Sequence, residues 1–250
     1  MNKKIWKKIV LALLLIGVST AASIFYNYEA TGVFFTVNKK LPIYNVDASD
    51  KKIAISFDAS WGADNTPKIL DVLDKYNVKA TFFLVGAWID ENPDLVKEID
   101  KRGQEIGNHT NMHPDMTEIS KDKMIKEIAV NDAKINNLIG KSTLLFRCPS
   151  GTYNDNVIQT VSDTKHYCIQ WDVDSIDWKE QGADLEYNRV ISKVKPGSII
   201  LFHTYAKYTP DNLSKIIEKL RSEGYKFVKV GDLIYKNNYK IDYSGKQIQE

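Results

Sequence analysis

Ile53-Ala54-Ile55-Ser56-Phe57-Asp58 is the stretch that decides the fold. Five apolar or small residues without a charge read as a strand buried on both faces, the kind that helices cover in a parallel sheet. The strand stops at a carboxylate. Asp58 therefore belongs at the carboxyl edge of the sheet, where α/β folds gather their chemistry.

The same pattern repeats along the chain. Further strands are expected at Ala80–Val85, Glu105–Gly107, Leu144–Arg147, Tyr167–Trp171, Ser198–Phe202 and Phe227–Val230. Helical periodicity falls between them at Pro67–Tyr76, Pro93–Arg102, Lys121–Ile139, Leu185–Val194 and Leu213–Ser222. Pro93 suits a first helical turn and Gly103 an exit, while Asp211 or Asn212 suits the start of the last helix. Alternating β and α elements imply right-handed crossovers in a parallel sheet. About seven βα units are present where a closed barrel needs eight. The expectation is an α/β fold, a distorted, incomplete (β/α)7 barrel over residues 52–250.

Composition sets the frame. The chain has 250 residues, 43% hydrophobic and 26% charged, as in packed globular proteins. Its formal charge of +2 includes Lys3, Lys4, Lys7 and Lys8, so the remainder carries −2 and nucleic acid is not the expected partner. Those lysines precede an uncharged run from Ile9 to Tyr28 centred on Leu11–Leu15. A basic head before such a run directs export, with the basic side staying inside. Its length favours a retained signal-anchor over residues 1–28, although Ser19, Thr20, Ala21 and Ala22 are small enough for a cleavage site. Residues 29–51 read as a stalk or leading arm. Cys148 and Cys168, the only cysteines, are expected to stay unpaired, because one ends a strand and the other begins the next.

Three of the four histidines fall in a series of polar motifs at strand ends: Ser56-Phe57-Asp58, His109-Thr110-Asn111-Met112-His113, Arg147-Cys148-Pro149, Asp174-Ser175-Ile176-Asp177-Trp178 and Leu201-Phe202-His203. The fourth, His166, has no motif and reads as a helix-end residue. Taken alone, Asp58 is more simply a turn cap. His109 and His113, four apart after a strand and before Pro114, read as a loop-borne pair of metal-binding imidazoles.

In order and spacing the five motifs resemble those of polysaccharide deacetylases of the NodB-homology type, carbohydrate esterase family 4, over roughly residues 52–233. The resemblance implies hydrolysis of N-acetyl groups on aminosugars of a cell-envelope glycan, with peptidoglycan the expected one, outside the cytoplasmic membrane. It casts Asp58 as general base, Arg147 as the residue holding it, and His203 as general acid oriented by Asp177, with Asp174 a competing candidate. His109 and His113 become ligands of a divalent metal, zinc by donor type. The Ser150 backbone N–H becomes an oxyanion donor, Trp178 a sugar-facing wall and Leu201 a wall for the acetyl methyl.

One position departs from the family pattern. A second Asp normally follows the base and completes the metal ligands; here it is Ala59, which has no oxygen to give. Asp64 is a substitute in the same loop, though it reads more simply as a cap for the next helix. The run Ser56-Phe57-Asp58-Ala59-Ser60-Trp61-Gly62 resembles the sporulation-associated branch, where this Asp is commonly replaced. The rival expectation is a silent glycan-binding or scaffold protein that has lost its metal. The motifs also leave an acetyl-ester substrate such as acetylated xylan open.

Overall fold

The computed structural model describes residues 3–6, 17, 19–20 and 39–250. Two compact units are present, Met1–Asn38 and Lys39–Glu250. In the first, residues 3–6 are helical. The expected signal-anchor and the first part of the arm otherwise lie outside the described residues. Among those described, no helix is long and apolar enough to cross a membrane.

The second unit begins inside the expected arm. Strand β1 (Asn45–Val46) pairs in parallel with a C-terminal strand, β11 (Lys246–Gln249), which pairs antiparallel with β10 (Tyr239–Ile241). Ile43 and Val46 are buried. Val46 donates its N–H to the Gly197 carbonyl, an approach so close that a Cβ on Gly197 would fall 1.7 Å from the Val46 oxygen.

The main sheet is parallel throughout. Its strands are β2 (Lys52–Ala59), β3 (Thr81–Leu84), β4 (Glu105–Asn108), β5 (Leu145–Phe146), β6 (Tyr167–Cys168), β7 (Val173–Asp174) and β8 (Ile199–His203). They are ordered β6-β5-β4-β3-β2-β8-β7, and β9 (Lys226–Val228) also pairs with β2. β6 and β7 do not pair, so the barrel is open there. Ile43 donates to the Cys168 carbonyl beside the gap and accepts from Gln170 N–H. The expected incomplete (β/α)7 barrel is what the chain forms.

Period-two alternation explains how β2 sits at the centre. Ile53, Ile55, Phe57 and Ala59 join the main apolar cluster with Ile69, Leu70 and Leu73 of α1 (Thr66–Lys75). Phe57 stacks on Phe82 and Phe202 at ring distances of 4.8 and 5.8 Å. Ala54 belongs to a second cluster with Phe83 and Ile199, and Ser56 and Asp58 meet Arg147.

The remaining helices are α2 (Gly86–Glu91), α3 (Pro93–Lys101), α4 (Lys121–Ile139), α5 (Asp155–Asp163), α6 (Ala183–Ile191), α7 (Thr209–Ser222) and α8 (Val230–Leu233). α2, α5, α8, β7 and the β10–β11 hairpin were not expected. Nor does the last long helix start at Asp211 or Asn212: it starts at Thr209 with Pro210 in its first turn, and the Asn212 amide donates to the Ala183 carbonyl instead.

Two expectations are corrected. Asp64 does not cap α1: the cap position is Asn65, whose amide reaches the carbonyls of Tyr205 and Ala206, while Asp64 is exposed. Cys148 and Cys168 are not at opposite ends of the sheet, because β5 and β6 are two residues each and Phe146 is register partner to Cys168. Their sulfurs lie 3.7 Å apart, both buried as free thiols.

Candidate active site

Parallel strands end on one edge, and here that edge collects the motifs. Asp58 on β2 and His203 on β8 are register partners, as are Asp174 on β7 and Leu201 on β8. A cavity of about 340 Å³ opens over them. Seven of the nine expected residues line it: Asp58, His109, His113, Ser150, Trp178, Leu201 and His203. Arg147 and Asp177 stand behind, each holding one of the reactive groups.

Arg147 is fully buried inside the barrel. It donates from Nη1 to Asp58 Oδ1 at 2.7 Å and from Nη2 to Ser56 Oγ at 2.8 Å and the Gln170 carbonyl at 3.2 Å. Its guanidinium lies 4.0 Å from the centre of the Phe83 ring. This fork fixes the Asp58 carboxylate and compensates its charge. Burial is the largest influence on Asp58 and works to raise its pKa. Arg147, with His109 and His203 adding, outweighs it and holds the carboxyl below its ordinary range.

His203 is fixed by Asp177. The Asp177 Oδ1 accepts from His203 Nδ1 at 2.7 Å, and Oδ2 accepts from the His203 backbone N–H at 2.7 Å and from Thr209 Oγ1 at 3.0 Å. Nε2 is the ring nitrogen outside this pair. Burial works to lower the His203 pKa; the Asp177 hydrogen bond and charge, with Asp58 and Asp174, outweigh it and raise the imidazole above its ordinary value. Of the two acids, Asp177 is the one that contacts His203, whereas Asp174 accepts from the Ile176 N–H in the turn that carries Asp177.

The His109–His113 segment is a loop, as Pro114 predicts, with left-handed φ at Thr110 (67°) and His113 (56°). The Arg147 carbonyl sits 2.8 Å from His109 Nδ1 and can only accept, so Nδ1 carries the hydrogen and Nε2 a lone pair. That lone pair faces Asp58 Oδ2 at 3.5 Å, two acceptors that call for a cation or a donor between them. Burial lowers both imidazoles, His113 to about 4, so both are neutral donors near pH 7. The donors suit a divalent ion in kind. They fall short in number, since Ala59 is buried in the apolar cluster, Asp64 does not line the cavity, and no three-residue ligand group occurs among the described residues.

Ser150 sits in a 3₁₀ turn, Pro149–Gly151, with φ of 54°. The turn's hydrogen bonds run from Gly151 to the Cys148 carbonyl and from Thr152 to the Pro149 carbonyl, leaving the Ser150 N–H out of them. Trp178 is half exposed at the rim and Leu201 lies at the floor, 2% exposed. Trp61, Trp171 and Tyr205 also line the cavity and were not assigned to it from sequence. Trp61 meets the edge of His113 at 5.0 Å and of Tyr205 at 6.3 Å. Its position directly after the Asp58 motif was the available signal. His166 is away from this cavity: it follows α5 and contacts Asp132 at 3.3 Å and Thr143 at 3.1 Å.

Comparison with known proteins agrees with this geometry. The model for the polysaccharide deacetylase family matches residues 45–169. A peptidoglycan-N-acetylglucosamine deacetylase of Bacillus cereus is 35% identical, over 78% of this chain and 72% of its own length. The peptidoglycan-N-acetylmuramic acid deacetylase PdaA of Bacillus subtilis is 30% identical, over 82% of this chain and 80% of its own. Among solved structures, a Bacillus anthracis protein described as a CE4 family pseudoenzyme superposes with a TM-score of 0.74 at 35% identity, over 77% of this chain and 68% of that one. A mutant of it is described as having restored enzymatic activity. With the motifs brought to one barrel mouth and this extent of similarity, the chain belongs to the polysaccharide deacetylase family.

Proposed function

We propose that this protein removes N-acetyl groups from the aminosugars of peptidoglycan. The observation that carries the reading is the pairing of two oppositely poised groups at one cavity: Asp58 held towards its ionised form by Arg147, and His203 held towards its protonated form by Asp177. A glycan-binding site needs neither; amide hydrolysis needs both. Asp58 takes a proton from water as its oxygen bonds to the acetamide carbonyl carbon. The Ser150 N–H receives the developing oxyanion. His203 then gives its Nε2 proton to the nitrogen as the C–N bond breaks, and acetate leaves. Leu201 sits against the methyl, and Trp178 gives a sugar ring an aromatic face. Acetate release from purified peptidoglycan and from acetylated xylan tests the reading: release from the first is expected, and release from the second alone would replace the amide substrate by an ester.

His109 and His113 are the residues that would hold a divalent ion, zinc by donor type, with the modest affinity of two protein ligands. When bound, such an ion supplies Lewis-acid polarisation of the carbonyl. Ala59→Asp is expected to tighten zinc binding. Because position 59 is fully buried among apolar groups, the new carboxylate is destabilising without metal. Zinc should therefore raise the melting temperature of the variant more than that of wild type. Equal zinc affinity and equal thermal response in the two proteins, with activity unchanged in His109→Ala, would exclude the two-imidazole site.

A second reading, a silent glycan-binding protein, is favoured by Ala59 and by the likeness to the Bacillus anthracis pseudoenzyme. It predicts glycan binding without acetate release. On either reading the site faces the cell wall. We propose that the N-terminal lysines and uncharged run deliver the barrel across the cytoplasmic membrane and tether it there. Protease added to intact protoplasts is expected to digest it; protection lost only on lysis would contradict export.

A further inference from the structure

Behind the Asp177–His203 pair lies a carboxyl group that the chemistry above does not use. Glu186, on α6, is 4% exposed, and no described residue hydrogen-bonds either carboxyl oxygen. A buried carboxylate without partners is costly, and a carboxylic acid far less so. Two polar side chains of α7, Asn212 and Thr209, lie close enough to favour its ionised form, though less strongly than burial opposes it. The Asn212 amide gives a hydrogen to the Ala183 carbonyl, and Thr209 gives its one hydroxyl hydrogen to Asp177 Oδ2. Thr209 Oγ1 keeps lone pairs and lacks a donor, whereas a protonated Glu186 has a donor to offer.

We propose that Glu186 is held as a neutral carboxylic acid that donates to Thr209 and, through Thr209 and Asp177, sets how firmly His203 keeps its proton. The chain runs from Glu186 O–H to Thr209 Oγ1, from Thr209 O–H to Asp177 Oδ2, and from His203 Nδ1–H to Asp177 Oδ1. Burial, with the Asp177 charge adding, outweighs the opposing influence of Asn212 and Thr209 and lifts the Glu186 pKa to about 7. Its ionisation thus falls in the working range. Once ionised, Glu186 adds negative charge behind Asp177 and favours imidazolium at His203. Arg189, one turn along α6, and Tyr208 line the small cleft beside it without bonding to its carboxyl group, and the two α7 side chains that act on it, Asn212 and Thr209, are neutral. The cleft holds about 10 Å³, too little for a ligand to account for the acid.

Glu186 is a positioning residue on this account. The inference rests on reading His203 as the acid, yet its test needs no turnover. Carbon-detected NMR titration of the full chain is expected to show the Glu186 carboxyl titrating near neutrality. In Glu186→Gln, His203 should release its proton at a pH lower by about half a unit or more. Thr209→Val, which takes a hydrogen bond from Asp177, should shift His203 upward. A Glu186 carboxyl that titrates in the ordinary range overturns the proposal, as do His203 curves in both variants that superimpose on wild type. If Glu186→Gln does not fold, the wild-type carboxyl titration and the Thr209→Val shift decide the matter. Loss of deacetylase activity with these titrations intact would count against the proposed function alone.

Discussion

Arg147→Met lowers the free energy of unfolding by about 3–5 kcal/mol, the expected cost of removing one partner from a buried ion pair. The guanidinium is inaccessible to solvent and touches Asp58, Ser56 and the carbonyls of Ile169 and Gln170, so it ties β2 to the chain beyond β6. Methionine fills much of the volume but leaves the Asp58 charge buried and unpaired. The double variant Asp58→Asn/Arg147→Met should therefore be more stable than Arg147→Met alone. Urea denaturation of the four proteins in this cycle measures both effects. A loss below about 1 kcal/mol for Arg147→Met, the scale of an exposed pair, would mean that the arginine is not the counter-charge that the geometry shows.

The second large effect is on rate. Asp58→Asn and His203→Ala should each lower acetate release by about 10²–10⁴-fold, the range of a general base or acid, with the fold retained. A loss within about tenfold, or ~1.4 kcal/mol, would exclude the residue from that role. The pH profile follows from the same two groups. Asp58 stays ionised to below the ordinary carboxylate range, and the His203 pKa is raised above its ordinary value of 6.5, so the active plateau runs between the lowered value of the one and the raised value of the other. For His203 the folded pKa is the raised one. Its contribution to stability is present in full below 6.5 and is lost as pH rises through the folded value. Asp177→Asn should move the alkaline limb of activity to lower pH.

How far the sequence carried the structure differs from element to element. β2 was readable because its charge-free run is long and ends on a single acid, and the motif order placed Asp58, His109, His113 and His203 at one edge. β7 was not, because Val173–Asp174 is two residues between polar neighbours, and its pairing with β8 comes only from the sheet. α5 had a signal that went unused: Asn154 caps it by accepting from the Val157 N–H, and Val157, Thr160 and Val161 form its buried face. α2 follows β3 after a single residue, Val85, which leaves no polar break to mark the helix start. The C-terminal hairpin also had a signal in Asp242-Tyr243-Ser244-Gly245, where Asp242 accepts from the Ser244 and Lys246 N–H groups. The cysteines were misplaced because strand lengths were overestimated, and two-residue strands leave Cys148 beside Cys168. Glu186 could not be found from sequence, since its significance lies in what α7 and the Asp177 turn leave unpaired around it.

The central claim is that Asp58 and His203 make this barrel a hydrolase of acetamido sugars, despite Ala59. Mass spectrometry of muropeptides incubated with the full chain, wild type beside Asp58→Asn, tests it most directly. The account predicts that aminosugars lose one acetyl group each with wild type and stay acetylated with the variant. Muropeptides that bind both proteins and keep every acetyl group would contradict it and leave a glycan-binding protein.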